Sequence, residues 1–199
     1  MRLNIFIAGV GGQGIISLSK IIGETALCKG MNVLIAETHG MAQRGGSVAV
    51  SIRIGNVYSS RIGRGSADIL VGLEPLEAAR YADMLSDDAI AVVNTHPIIP
   101  YSVSARKTGY PPVKSLLSQI RRNCSTVVAL NAFEISERVG FPLAANSAIL
   151  GAIAASGKID AKPKDFKKAI KGVIRRRINE NLESFDLGYR MALGKIGDA

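Results

Sequence analysis

The sequence predicts an α/β protein: a three-layer, mostly parallel, Rossmann-like sheet carrying an inserted β-hairpin and a helical C-terminal tail. Three observations lead there. Leu3 to Ala8 is an apolar run that breaks into four glycines within six residues, Gly9, Gly11, Gly12 and Gly14, and Ile15 to Lys29 then has the apolar spacing of a helix. Buried-strand runs recur at Asn32–Ala36, Ile69–Leu73, Ala89–Asn94 and Thr126–Leu130, with helical stretches after most of them. From Phe133 onward the pattern is helical throughout. At 199 residues the chain fits one domain, spanning 1–199, with enough length to bury a sizeable core.

Each element has its own warrant. Ile15, Leu18, Ile22 and Ala26 share a face of the first helix, and Gly30 is placed to cap its end. Ser47 to Ile54 alternates Val48, Val50, Ile52 and Ile54 with Ser47, Ala49, Ser51 and Arg53, the pattern of a half-exposed strand. Gly55-Asn56 then reads as a hairpin turn, with Val57–Ser59 returning as a short partner strand. Pro75 opens a helix running through Leu85, and a further helix covers about Val113 to Arg122. Between them, His96 to Pro112 is rich in Pro, Ser and Gly and reads as a surface loop carrying Arg106 and Lys107. Helices follow at Phe133–Val139 and Ala144–Ser156, the latter rich in small residues that suit close contact, in the core or against another subunit. One long helix from about Lys164 to Leu193 carries a stripe from Phe166 and Ile170 through Ile174 and Ile178 to Phe185 and Tyr189.

Gly9, Gly11 and Gly14 fall in the order G-x-G-x-x-G between strand and helix, where helix amides without intrahelical acceptors favour an anion. Gly9, Gly11, Gly12, Gln13 and Gly14 are therefore candidate cofactor-binding residues; the competing reading is a turn whose glycines serve packing alone. Glu37, at the end of the second strand, stands where a dinucleotide-binding unit places its ribose-binding acid. The early hairpin argues against an ordinary nicotinamide domain. The loop HGMAQRGG, His39 to Gly46, adds Arg44, Gly45 and Gly46, which can offer a guanidinium and backbone N–H groups to a phosphate or carboxylate. A solvated connector is its alternative, and His39 lacks the companions of a catalytic base.

Net charge is +9, concentrated at Lys162 to Arg177 with Asp165 as the one acid there, which favours an anionic client. Aromatic residues are too sparse for base stacking along a nucleic acid, so none is expected. Two cysteines, Cys28 and Cys124, cannot supply the four thiolates of an iron-sulfur cluster, and no metal-ligand or nucleophile spacing is present. Neither a leader nor a membrane span is expected, and the reading is cytoplasmic.

Three stretches, IFIAGVGGQGI at Ile5–Ile15, ETHGMAQRGGSV at Glu37–Val48 and GLEPLEAARY at Gly72–Tyr81, closely resemble the small, gamma-type subunits of the 2-oxoacid:ferredoxin oxidoreductases. The HGMAQRGGSV loop points to their indolepyruvate branch. The resemblance implies CoA-dependent oxidative decarboxylation of an aryl pyruvate to aryl-acetyl-CoA, CO2 and reduced ferredoxin. It implies that thiamine diphosphate and iron-sulfur clusters sit on a large (alpha) partner subunit, so this chain has no catalytic residue of its own and meets ferredoxin through the complex. Coenzyme A is the client it suggests for the glycine turn and Arg44. A free-standing NAD-type dehydrogenase domain and a basic binding module are the alternatives.

Overall fold

The computed structural model describes residues 2–38, 46–98 and 109–197. Six strands form one mixed sheet: β1 (Arg2–Val10), β2 (Val33–Thr38), β3 (Ser47–Gly55), β4 (Ala67–Gly72), β5 (Leu85–Asn94) and β6 (Thr126–Leu130). Among the described residues the helices are α1 (Ile15–Cys28), α2 (Pro75–Arg80), α3 (Val113–Arg121), α4 (Ala132–Arg138), α5 (Ala145–Ala155), α6 (Pro163–Val173) and α7 (Ile178–Gly197). The strand order is β2-β3-β1-β4-β5-β6. β3 runs antiparallel to both neighbours, and β1, β4, β5 and β6 run parallel.

Alternation along β1 divides the core. Leu3, Ile5 and Ile7 face a large cluster with α1, α4, α5, α6 and α7, whereas Phe6 and Ala8 face a smaller one with α2 and α3. A central strand covered on both faces must be apolar on both, hence the apolar run Ile5–Ala8 that follows the buried Asn4.

Two expectations are corrected. Val57–Ser59 forms no returning strand: β3 already has both edges paired, and the Arg53 guanidinium holds the chain beyond it by donating to the carbonyls of Ser59 and Arg61 at 2.7 and 3.1 Å. The antiparallel insertion is β3 itself, wedged between β1 and β2. The long C-terminal helix is two. Ile174 turns extended and Arg177 takes φ 52°, while Asn181, buried and accepting from Ser147, donates 2.8 Å to the Arg177 carbonyl and fixes the break. The apolar stripe hid this break because Val173 and Ile174 stay partly buried through it.

The small-residue helix packs inside the chain. An added Cβ at Gly151 would lie 2.1 Å from the Phe185 carbonyl oxygen, and one at Gly188 would lie 2.1 Å from that of Ala148. The backbones of α5 and α7 touch at these two positions.

Candidate functional site

The helix after β1 covers one face of the sheet and the helix after β4 covers the other. The carboxyl ends of β1 and β4 therefore flank a topological switch point, where open α/β sheets leave a crevice. The glycine turn lies there. Its geometry is fixed by a knot of side-chain amides. Gln13 accepts from the Val10 amide at 2.6 Å and donates to the Leu73 carbonyl at 2.9 Å, and Asn94, buried at the end of β5, donates to that carbonyl at 3.1 Å. The Asn94 oxygen accepts from the amides of Ala132 and His96, so one asparagine ties β4, β5 and the start of α4 together.

The turn's amides are only partly bare. Gly11 donates to the Gly46 carbonyl at 2.8 Å and Gln13 to that of Val10 at 3.1 Å. The amides of Gly12, Gly14, Ile15, Ile16 and Ser17 find no protein acceptor among the described residues. Gly14 enters α1 in the left-handed conformation with no side-chain cap, which leaves the first turn's donors to an outside partner. Asn146 closes the other side, donating to the carbonyls of Gln13 and Gly14 at 2.8 and 3.3 Å.

Two clefts meet over Gly12, Gln13, Leu143 and Asn146. One, about 430 Å³, is the switch-point crevice, walled by Leu73, His96, Ala132, Phe133 and Ile149. The other, about 440 Å³, runs past Ser17 to Ile174, Arg175 and Arg176 in the break between α6 and α7. Leu143, 81% exposed, stands on the ridge between them. Both arginines are exposed, and neither makes an ion pair among the described residues.

Of the sequence-derived candidates, the structure gathers Gly11, Gly12, Gln13, Gly14 and Gly46. Gly9 is a packing residue, buried within β1 where a Cβ would meet Gln13, Ile15 and Leu73. Gln13 is a fastener whose side chain is spent on Val10 and Leu73. Glu37 is not brought to the turn: β3 separates β2 from β1, so it lies two strand spacings, about 9.5 Å, away rather than one. Its register, Glu37 opposite Val50 and Val50 opposite Ile7, also leaves it short of the strand ends. Arg44, Gly45 and His39 lie outside the described residues. Asn94, His96, Phe133 and Asn146 were not singled out in the sequence as site residues, whereas Arg175 and Arg176 belong to the basic Lys162–Arg177 segment already noted there; a polar residue ending an apolar strand was the available signal for Asn94.

Beside the crevice, Glu74 and Glu77 are fully buried. Glu74 caps α2 by accepting from the Glu77 amide at 2.9 Å and also accepts from the Tyr110 hydroxyl. Burial pushes the Glu74 carboxyl above its usual range, outweighing those hydrogen bonds, and the neighbouring Glu77 charge adds to the rise. Glu77 pairs with Arg80 through one oxygen, and its other oxygen is buried without a partner among the described residues.

Residues 4–191 match the family model described as pyruvate ferredoxin/flavodoxin oxidoreductase. The chain belongs to that family. Within it, the chain is similar to the indolepyruvate oxidoreductase subunit IorB of Archaeoglobus fulgidus, with 41% identity over 97% of this chain and 96% of the relative. The fold matches the gamma subunit of a keto/oxoacid ferredoxin oxidoreductase from Geobacter sulfurreducens, with a TM-score of 0.70 at 22% identity over 96% of this chain and 99% of that one. It also matches part of the 2-oxoglutarate:ferredoxin oxidoreductase of Magnetococcus marinus, a structure with 2-oxoglutarate, coenzyme A and succinyl-CoA bound. There the TM-score is 0.72 at 18% identity, over 97% of this family member but 31% of the longer chain. In this member no group of His, Cys, Asp and Glu among the described residues could hold a metal ion, and no helix is long and apolar enough to cross a membrane.

Proposed function

We propose that this chain is the small subunit of an indolepyruvate (aryl pyruvate):ferredoxin oxidoreductase, working in the cytoplasm and inactive without its large partner. Its role is to hold coenzyme A while the aryl-acetyl group is transferred. The near full-length identity to an indolepyruvate oxidoreductase subunit is the observation that carries this reading. On the partner, thiamine diphosphate and iron-sulfur clusters supply decarboxylation and the passage of electrons to ferredoxin.

The residues present fit coenzyme A. Its phosphates need donors and positive charge, and the unspent amides of Gly12, Gly14 and the first turn of α1 face a cleft edged by Arg175 and Arg176. Arg44, two residues before Gly46 in the sequence, adds a third guanidinium to this reading, and the Gly46 carbonyl accepts from the Gly11 amide. What this chain contributes is binding and orientation of the thiol donor, so its loss lowers the rate of acyl transfer. The nicotinamide alternative is not favoured, because β3 displaces Glu37 from the place a ribose needs.

Reconstitution tests the proposal. Viologen reduction with indolepyruvate and coenzyme A should require both chains, and full activity of the large chain alone would contradict it.

A further inference from the structure

The switch-point crevice has a composition that the phosphates of coenzyme A do not explain. Its inner polar groups are already satisfied by one another: Gln13 and Asn94 both donate to the Leu73 carbonyl, and the Asn94 oxygen accepts two amides. What remains is apolar wall, from Leu73, Ala132, Leu143 and Ile149, and one aromatic pair. His96 and Phe133 stack with ring centroids 4.5 Å apart and planes inclined by 20°. Both are half-buried and both line the crevice, one from the chain leaving β5 and one from the start of α4. The Asn94 side chain sets their relation, because its oxygen holds the amide of His96 and the amide of Ala132, the residue before Phe133. A wall of this kind suits a flat ring, since every heteroaromatic ring has a face that stacks. The volume, about 430 Å³, lies in the range of ligand pockets.

We propose that the crevice seats a planar heteroaromatic ring against the His96–Phe133 stack. The inference rests on the functional reading above, which supplies two such rings: the adenine of coenzyme A and the aryl group of the substrate. Gly12, Gln13, Leu143 and Asn146 border both clefts, so a ring in the crevice is continuous with an anionic group in the arginine-edged cleft.

The test uses the reconstituted two-chain complex with Phe133→Leu, which keeps apolar bulk but removes the ring, and Phe133→Tyr, which keeps the ring. Phe133→Leu should raise one Michaelis constant about tenfold, the scale of a base-aromatic stack, while Phe133→Tyr leaves it within about twofold. A rise in the KM for coenzyme A, with weaker inhibition by adenosine 3′,5′-bisphosphate, identifies the ring as adenine. A rise in the KM for indolepyruvate, with that inhibition unchanged, identifies it as the aryl group. Unchanged constants in Phe133→Leu overturn the inference, and so does a parallel rise of both constants with a lowered melting temperature, which marks a packing role. Failure of the functional reading is separately visible, because the large chain alone would then turn over indolepyruvate and coenzyme A at full rate.

Discussion

Glycine does opposite things at the two ends of this molecule's helical layer. Between α5 and α7, Gly151 and Gly188 let two backbones touch, and the space a side chain would need is already filled. At the start of α1, Gly12 has φ +99° and nothing within 4 Å of where its Cβ would be. One pair is present because protein occupies the space, the other because the backbone must turn and leave the space empty. Packing glycines set stability, whereas a glycine facing open space at a helix start sets what can approach.

That contrast orders the expected effects of substitution. Gly188→Ala forces Ala148 and α7 apart and should destabilise the chain by about 3 kcal/mol, the upper range for overpacking. Thermal unfolding checks it, with a fall of about 2–4 °C per kcal/mol for a chain of this size; folded Gly188→Ala complex should keep its affinity for coenzyme A. Gly12→Ala places a side chain in open space but in a backbone region unfavourable to it, at about 1–2 kcal/mol of strain. Its larger effect should be on the KM for coenzyme A, a rise of about tenfold or more from the obstructed amides. Equal losses of stability and affinity at Gly12 would erase the distinction between the two regions.

Smaller effects sharpen it. The double substitution Arg175→Glu with Arg176→Glu, both exposed, should leave stability within about 0.5 kcal/mol. The same change should raise the KM for coenzyme A several-fold, less so in high salt, as steady-state kinetics at two ionic strengths would register. The smallest expected effect concerns Glu74. Its carboxyl binds a proton more readily in the folded chain than in the unfolded one, so its contribution to stability is present at acid pH and declines as pH rises from about 4.5 through its folded value. Glu74→Gln, whose one amide oxygen can still accept from the Glu77 amide while its NH2 donates to the Tyr110 hydroxyl oxygen, should remove that decline, read as a flatter profile of melting temperature against pH.

Much of the scaffold was legible because burial on both faces leaves a simple mark. β1, β6 and the second half of β5 carry apolar runs, and the strand-turn-helix at Gly9 to Ile15 announces itself by the abrupt change from Ile and Ala to glycine. The partner of β3 was not legible. Its alternation marks a half-exposed strand, but pairing between strands is decided by long-range contacts, and Gly55-Asn56 mimics a hairpin turn that Arg53 instead converts into a hydrogen-bonded loop. The helix break at Ile174–Arg177 escaped for a related reason: Asn181 and Ser147, 34 residues apart, create it. At the site, the glycines were readable from spacing, while Asn94, Asn146 and the His96–Phe133 stack were not: Asn94 and the stack acquire meaning only when β4, β5 and α4 converge, and Asn146 only when α5 meets the turn before α1. Glu37 misled because a strand inserted later in the sequence moved it sideways.

The central claim is that an outside anion completes the unspent amides at the start of α1. Amide hydrogen exchange on the two-chain complex, with and without coenzyme A, addresses it at the atoms concerned. Gly12, Gly14 and Ile15 to Ser17 should exchange more slowly when coenzyme A is bound, while Gly11, already donating to Gly46, changes little. Exchange at those amides that is indifferent to coenzyme A, in a complex that still turns over with it, would contradict the account.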